Sequence, residues 1–144
     1  MQSIVVDAGP LIAMFTRSDR YHAAALEFLT RTEGVALITN LIVVGEVAAV
    51  LGRHKDLVAC LNWIVENMEI DSNAGVDLPK AILILQKYKD LPADLADASL
   101  VAMCERRGTN LVATVDDDFD VYRLPKNKKL QNVFFAREHG PDRP

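Results

Sequence analysis

The chain has 144 residues, half of them apolar and a quarter charged. That length favours one domain, with a core large enough to need neither disulfide nor structural metal. The formal charge of −4, from 16 basic and 20 acidic residues, disfavours a nucleic-acid partner until the positions of the acids are considered. The longest weakly charged stretch, Val35 to Leu51, is interrupted by Thr39, Asn40 and Glu46. It falls short of the roughly 18 apolar residues of a membrane span. Met1-Gln2-Ser3 carries no basic flank, so no secretory leader is expected and the reading is a cytoplasmic domain.

In chain order, Ile4-Val5-Val6 is a short buried-strand pattern, and Pro10 is placed to open a helix. Tyr21 to Leu29 reads as helix. Val35 to Thr39 reads as a second strand, followed by Asn40 as the cap of a helix from Leu41 towards Leu51. A helix over Asp56 to Asn67 and a strand at Met68 to Ile70 come next, then a helix over Leu78 to Lys89 with Pro79 in its first turn. Ala93 to Arg107 is helical and stops at Gly108. Leu111 to Val115 is a strand, Val133 to Ala136 reads as the last one, and Glu138 to Pro144 is a polar tail. Strands alternating with helices imply an α/β fold, a mainly parallel sheet of four to five strands flanked by helices, in one domain over residues 1–137. Ligands of such sheets bind beyond the carboxyl ends of the strands.

Cys60 and Cys104 lie on apolar helical patterns without CxxC spacing, and His22, His54 and His139 are scattered. They read as buried thiols and solitary imidazoles, so thiol and zinc chemistry are set aside. The acids are more informative. Asp7 ends the first strand; with Pro10 at the first helical position it stands two residues too early to cap the helix. Glu46 is the only charge between Glu33 and Arg53, in a helix apolar on nearly every side, which predicts burial. Gly45 beside it suggests close backbone approach. Asp94 and Asp97 share a helix face; Asp94 is placed to cap the helix, and Asp97 falls on the stripe of Val101 and Cys104. Asp116 follows a strand as Asp7 does, with Asp117 and Asp120 in the acidic run after it read as a solvated turn.

Such acids in apolar surroundings repel one another unless a cation lies among them, and no Lys or Arg interrupts the apolar stretches around Glu46 and Asp97. Carboxylates without His or Cys select Mg²⁺ or Mn²⁺, ions that position phosphates and activate water. Without Asp7, Glu46, Asp94, Asp97, Asp116 and Asp118, the remaining fourteen acids are outnumbered by sixteen bases. Arg17, Arg20, Arg53 and Lys55 follow two acidic segments, and Arg123, Lys126, Lys128 and Lys129 follow a third. A cation-rimmed metal site could accept an RNA backbone, with Arg17, Arg20, Arg53, Lys126 and Lys128 as its candidate contacts. An aspartyl phosphotransferase is disfavoured because Gly9 stands where a second Asp is required.

Ile4-Val5-Val6-Asp7-Ala8-Gly9-Pro10, Glu46-Val47, Leu91-Pro92-Ala93-Asp94-Leu95-Ala96-Asp97-Ala98-Ser99 and Ala113-Thr114-Val115-Asp116-Asp117-Asp118-Phe119 together resemble the PIN-domain family, and within it the VapC-type toxins of bacterial toxin–antitoxin pairs. The resemblance covers residues 3 to 136. It implies a Mg²⁺- or Mn²⁺-dependent endoribonuclease on a parallel sheet, with Asp7, Glu46, Asp97 and Asp116 as the four family acids. Asp94 and Asp118 match acids that only some members carry, and Thr114 matches a hydroxyl residue beside the fourth acid. The resemblance also implies a homodimer, a small antitoxin partner and an RNA substrate; RNA-processing PIN nucleases and non-catalytic binding modules of the same fold are the alternatives. Independently of it, the helix over Asp56 to Asn67 carries Leu57, Val58, Leu61, Trp63, Ile64 and Val65, more apolar surface than one face normally buries.

Overall fold

The computed structural model describes residues 2–52 and 55–136. The expectations for Arg53, His54, the Lys55 side chain, His139 and the 138–144 tail lie outside these described residues. The chain runs β1 (Ile4–Val6), α1 (Ala8–Met14), α2 (His22–Arg31), β2 (Leu37–Asn40), α3 (Leu41–Leu51) and α4 (Lys55–Asn67). It continues through β3 (Glu69–Asp71), α5 (Ala74–Lys87), α6 (Leu95–Arg107) and β4 (Leu111–Ala113). A 3₁₀ turn at Asp117–Asp120 leads to the small hairpin β5 (Arg123–Leu124) and β6 (Lys128–Lys129), then to β7 (Gln131–Asn132).

Five strands form one sheet in the order β3-β2-β1-β4-β7, and every pairing in it is parallel. This is the α/β sheet expected from the sequence. The first two crossovers step outward from β1 through β2 to β3, and the third returns across β1 to β4. Right-handed crossovers in opposite directions place their helices on opposite faces, so the sheet is the middle of three layers. The order reverses between β1 and β4, and ligands of such sheets bind at that switch point, beyond the strands' carboxyl ends.

Several boundaries shift, for local reasons. Helix α1 starts at Ala8, not Pro10. Proline fits the third helical position because first-turn amides have no intrahelical acceptor. Asp7, expected to stand too early for a cap, is the cap: its Oδ1 accepts the Ala8 amide at 2.8 Å. Helix α5 begins at Ala74, ahead of the expected Leu78, which moves Pro79 out of the first turn.

The apolar run Val133 to Ala136 is not a strand. The Val133 amide still reaches the Val112 carbonyl at 2.8 Å, but the Phe134 amide turns to Asn132 Oδ1 at 3.1 Å. Phe134 then sinks into the core against Phe28, with ring centroids 5.6 Å apart. Burying the ring on the helix replaces further pairing at this sheet edge.

Helix α3 departs most from its pattern. Apolar all round, it buries only Val43, Val47 and Leu51 among its residues, while Leu41 and Val50 are 67% and 62% exposed. Gly45 stands on the exposed side, and a Cβ there would meet nothing within 4 Å. The close approach occurs instead at Gly9, where a Cβ would collide with Val115 Cγ2. Gly9 therefore lets α1 seat on the end of β4. Cys60 and Cys104 are buried and free, and burial pushes their thiols up to about 11 and about 12. They are inert at neutral pH, as the sequence suggested.

Candidate active site

β1 and β4 deliver the first elements of the site side by side. The Asp7 amide donates to the Ala113 carbonyl at 2.9 Å, which holds the strand ends in register. Asp7 is buried, and its second oxygen, Oδ2, accepts the Thr114 hydroxyl at 2.9 Å. Thr114 Oγ1 in turn accepts the Asp116 amide at 3.0 Å, and Asp116 Oδ1 accepts the Asp118 amide at 2.9 Å to cap the 3₁₀ turn. The Asn132 side chain clasps the Thr114 backbone, accepting its amide at 3.2 Å and donating to its carbonyl at 3.0 Å. Thr114 is thus a hub: it orients one acid directly and fixes the loop of another.

Helix α6 supplies the next acids through a capping box. Asp94 is the N-cap; its Oδ1 accepts the Asp97 amide at 2.9 Å, and Asp97 Oδ2 faces the Asp94 amide at 3.4 Å. Asp94 is exposed and Asp97 buried. Asn40 caps α3 through the Val43 amide at 3.0 Å and donates to Ser99 Oγ at 3.1 Å. It therefore ties the helix that carries Glu46 to the helix that carries Asp97. The sequence signals Asn40 only as a cap, because Ser99 lies 59 residues away.

The electrostatics show which acids act on one another. Burial raises the Asp7 carboxyl above its ordinary range, and the charges of Asp116 and Asp94 add to this against the Ala8 and Thr114 hydrogen bonds. Asp97 is pushed up to about 8, first by burial, then by Asp7 and Asp94. Glu46 is raised by burial and by Asp94, Asp7 and Asp116. It is half-buried rather than fully shielded, yet its Oε2 is sealed from solvent without a hydrogen-bond partner among the described residues. Asp118 is raised chiefly by burial and by Asp116. Asp7, Glu46, Asp94, Asp97 and Asp116 therefore act on one another electrostatically. Among the described residues, no three His, Cys, Asp or Glu side chains stand preassembled to hold a metal ion, a spread that mutual repulsion favours.

A domain model described as PIN domain matches residues 4–124. The chain belongs to the PIN family. Ribonuclease VapC26 of Mycobacterium tuberculosis is 26% identical over 117 residues, covering 78% of this chain and 86% of that protein. The crystal structure of VapC20 of the same organism, described as a sarcin–ricin loop cleaving toxin, superposes with a TM-score of 0.75 at 22% identity. The alignment covers 83% of this chain and 94% of VapC20. VapBC2 of Rickettsia felis, solved bound to a promoter DNA fragment, gives 0.62 at 14% identity, over 91% of this chain and 98% of that one. These two structural likenesses establish the PIN fold, the arrangement seen in the sheet order above.

The cations expected to contact RNA do not all meet the acids of this PIN domain. Arg17 lines a separate cavity of about 740 Å³ with Phe15, His22, Leu51 and Asp56, across the length of α1 from Asp7. Arg20 stacks on the Tyr21 ring at 5.3 Å. Lys126 and Lys128 are exposed on the β5–β6 hairpin. Tyr122 was not signalled by the sequence. It is fully buried between Tyr88 and Phe119, both 5.1 Å away edge to face, and its hydroxyl has no partner among the described residues. Burial and the charges of Asp97 and Asp116 raise its phenol.

Asp97 makes the metal-free protein sensitive to pH. Its folded pKa, about 8, lies above the value near 4 of the unfolded chain, so the native state holds a proton that the unfolded state releases. Stability from this group is complete below about pH 4 and is lost as pH rises through 8. The loss is on the order of 5 kcal/mol across that range. Melting temperatures in EDTA should fall from pH 5 to pH 9 in the wild type and fall markedly less in Asp97→Asn, whose amide keeps the capping oxygen but cannot ionise, while Asp7 and Glu46, also raised, leave a residual slope. A flat wild-type curve would refute the burial of Asp97 among these acids.

Proposed function

We propose that this PIN domain is a Mg²⁺- or Mn²⁺-dependent endoribonuclease, the toxin of a toxin–antitoxin pair. The observation that carries the reading is the group of mutually repelling carboxylates at the β1/β4 switch point, together with family membership and the ribonuclease relative. The donor set suits a hard divalent ion: every donor is a carboxylate oxygen, no His or Cys is present, and Glu46 Oε2 is buried without a partner. Asp7 and Asp97 are assigned as the principal ligands, with Glu46 and Asp116 completing the set directly or through water. When bound, the ion supplies charge for a phosphate oxygen and acidifies a water.

The protein's own part is positioning. Thr114 and the Ala8 amide engage both Asp7 oxygens, so that carboxylate cannot swing. The capping box sets Asp97, and the Asn40–Ser99 bond sets the spacing of α3 and α6. Glu46 and Asp116 are the carboxylates placed to orient an attacking water and take its proton. Asp94 and Asp118 support these elements as caps and turn acids. The domain is assigned to residues 1–137 because β7 completes its sheet.

The test is cleavage of labelled RNA with Mg²⁺, Mn²⁺ or EDTA. Metal-dependent endonucleolytic products support the reading, and identical products in EDTA would overturn it. The toxin assignment over an RNA-processing role rests on the VapC and VapBC likenesses. It requires a small antitoxin that binds this chain and suppresses cleavage. RNA cleavage of this kind belongs in the cytoplasm, and among the described residues no helix is long and apolar enough to cross a membrane.

A homodimer is part of the same reading. Its support is the apolar side chains left exposed on α3 and α4, namely Leu41, Val50, Val58 and Val65. Trp63 is not among them; it is half-buried and meets the Phe15 ring edge-on at 6.2 Å. Light scattering at tens of micromolar should report twice the chain mass of 15.9 kDa; a strict monomer would remove the dimer.

A further inference from the structure

A surface groove has a character opposite to that of the site acids. It has a volume of about 330 Å³ and runs between α5, the end of α6 and the β5–β6 hairpin. Four cations rim it, Lys80, Lys87, Arg123 and Lys126, against a single acid, Glu105, which Lys80 already pairs at 3.1 Å. Its walls are apolar and aromatic, with Leu83, Ile84, Tyr88, Leu124 and Pro125 contributing. In a chain of net charge −4, this is a local concentration of positive charge around a surface that a base or ribose can cover.

The cations are held in place to different degrees. Arg123 Nη1 donates to the carbonyls of Asp120, Val121 and Tyr122 at 2.6, 3.0 and 3.0 Å, which anchors the guanidinium at the groove's edge. Lys87 Nζ stands 5.3 Å over the Tyr88 ring. Lys126 occupies the hairpin tip with φ of 63°, followed by Asn127 at 59°. Positive φ at both central residues is the geometry of the primed turns that suit a tight hairpin, and it sets Lys126 at the exposed tip.

A chain of packed aromatic rings links the groove to the turn that carries Asp116. Tyr88 lines the groove, accepts the Arg123 amide at 3.0 Å through its hydroxyl, and packs edge-on against Tyr122. Tyr122 packs against Phe119, which lies in the turn that Asp116 caps. Tyr88 also stands only six residues before Asp94, the cap of α6. A strand with one phosphate among the acids therefore has a cationic path leading away from it along α5. Electrostatic tracking of the backbone combined with stacking on aromatic and apolar surface is how single strands are bound without sequence readout.

We propose that this groove is the binding track for the single-stranded RNA segment flanking the scissile phosphate, with Lys87 and Lys126 on backbone phosphates and Tyr88 and Pro125 under a base or ribose. The proposal rests on the nuclease reading for the position of the cut, but its test does not require turnover. A labelled single-stranded RNA dodecamer is titrated in EDTA by fluorescence anisotropy at several salt concentrations. The proteins are the wild type, Lys87→Glu/Lys126→Glu and Lys87→Arg/Lys126→Arg. These side chains are exposed, so melting temperatures should agree and serve as the folding control.

The charge reversal should weaken binding at least tenfold at low salt. It should also lower the slope of log Kd against log salt by about 1.4, since each lost phosphate contact removes about 0.7. The arginine pair should keep the wild-type slope. Wild-type affinity and slope in the reversed variant would overturn the track, as would absence of RNA binding by the wild type. Binding of an oligoglutamate peptide that depends on the two lysines, while RNA binding does not, would overturn it in favour of an acidic protein partner. Failure of the nuclease reading alone looks different: no metal-dependent cleavage, with lysine-dependent RNA binding intact.

Discussion

Asp7→Asn should abolish metal-dependent RNA cleavage while leaving the folded protein intact and, without metal, more stable. Asparagine keeps an oxygen for the Ala8 amide that Asp7 Oδ1 now accepts. Its amide group then faces Thr114, whose hydroxyl can accept instead of donate. The helix start survives, and only the negative charge disappears. Because Asp7 is buried with Asp116 and Asp94 acting on it, removing the charge relieves repulsion, so the melting temperature in EDTA should rise. In activity the loss should be at least about 100-fold, since even partners of metal ligands are typically worth 10–100-fold. The wild type should gain melting temperature on adding Mn²⁺, because an ion that binds only the native state stabilises it; the variant should gain far less. Full cleavage by Asp7→Asn across varied RNA substrates would remove Asp7 from the site.

Arg106→Ala should be the most damaging change for stability, although it lies away from the chemistry. Arg106 makes a bidentate pair with Asp77, Nε to Oδ1 at 2.7 Å and Nη2 to Oδ2 at 3.0 Å, and Nη2 also reaches Asp71 Oδ1 at 2.7 Å. Both aspartates are buried, at 5% and 4% exposure. Burial pushes the Asp71 carboxyl up, but the Asn73 amide and the Arg106 guanidinium outweigh this and hold it below its ordinary range. Removing the guanidinium leaves buried Asp77 without that partner and Asp71 with only Arg107 and the Asn73 amide, which costs about 3–5 kcal/mol and should lower the melting temperature by roughly 10 °C. The sign with pH follows from the depressed carboxyl. Its stabilisation is full above the unfolded value near pH 4 and is lost as pH falls through the lower folded value, so the variant should lose part of the wild type's acid-unfolding limb. Neutral replacement of the triad, Arg106→Leu with Asp71→Asn and Asp77→Leu, should recover much of the loss. If Arg106→Ala melts within a degree or two of the wild type, the network is not a stabilising one.

These two residues mark the division between what the chain states locally and what it states only when folded. Signals confined to a few residues were legible: Asn40 and Asp94 as caps, Gly108 as a helix stop with φ of 70°, and the Ile4–Val6 strand. Each reports hydrogen bonds made within about four residues, which neighbouring side chains decide. The acids were legible as a set because charge in apolar sequence is costly wherever it is placed. The start of α1 was misjudged because proline's preference for the first helical position is weaker than the geometry imposed where Gly9 meets Val115. Glu46 was expected deeper because the apolar pattern of α3 shows how much could be buried, and only packing decides which part is.

By itself, the sequence determined the α/β class, the parallel sheet and the caps at Asn40 and Asp94. Only the tertiary structure decided which acids act on one another, because that depends on the reversal of strand order between β1 and β4. That reversal brings Asp7 beside Thr114 across 107 residues and Asn40 to Ser99 across 59. It also decided that Arg106 guards two buried aspartates 29 and 35 residues away. No local preference encodes such distances. They follow from closing a hydrophobic core, which selects one arrangement of elements and leaves each polar group to find the partner that arrangement brings within reach.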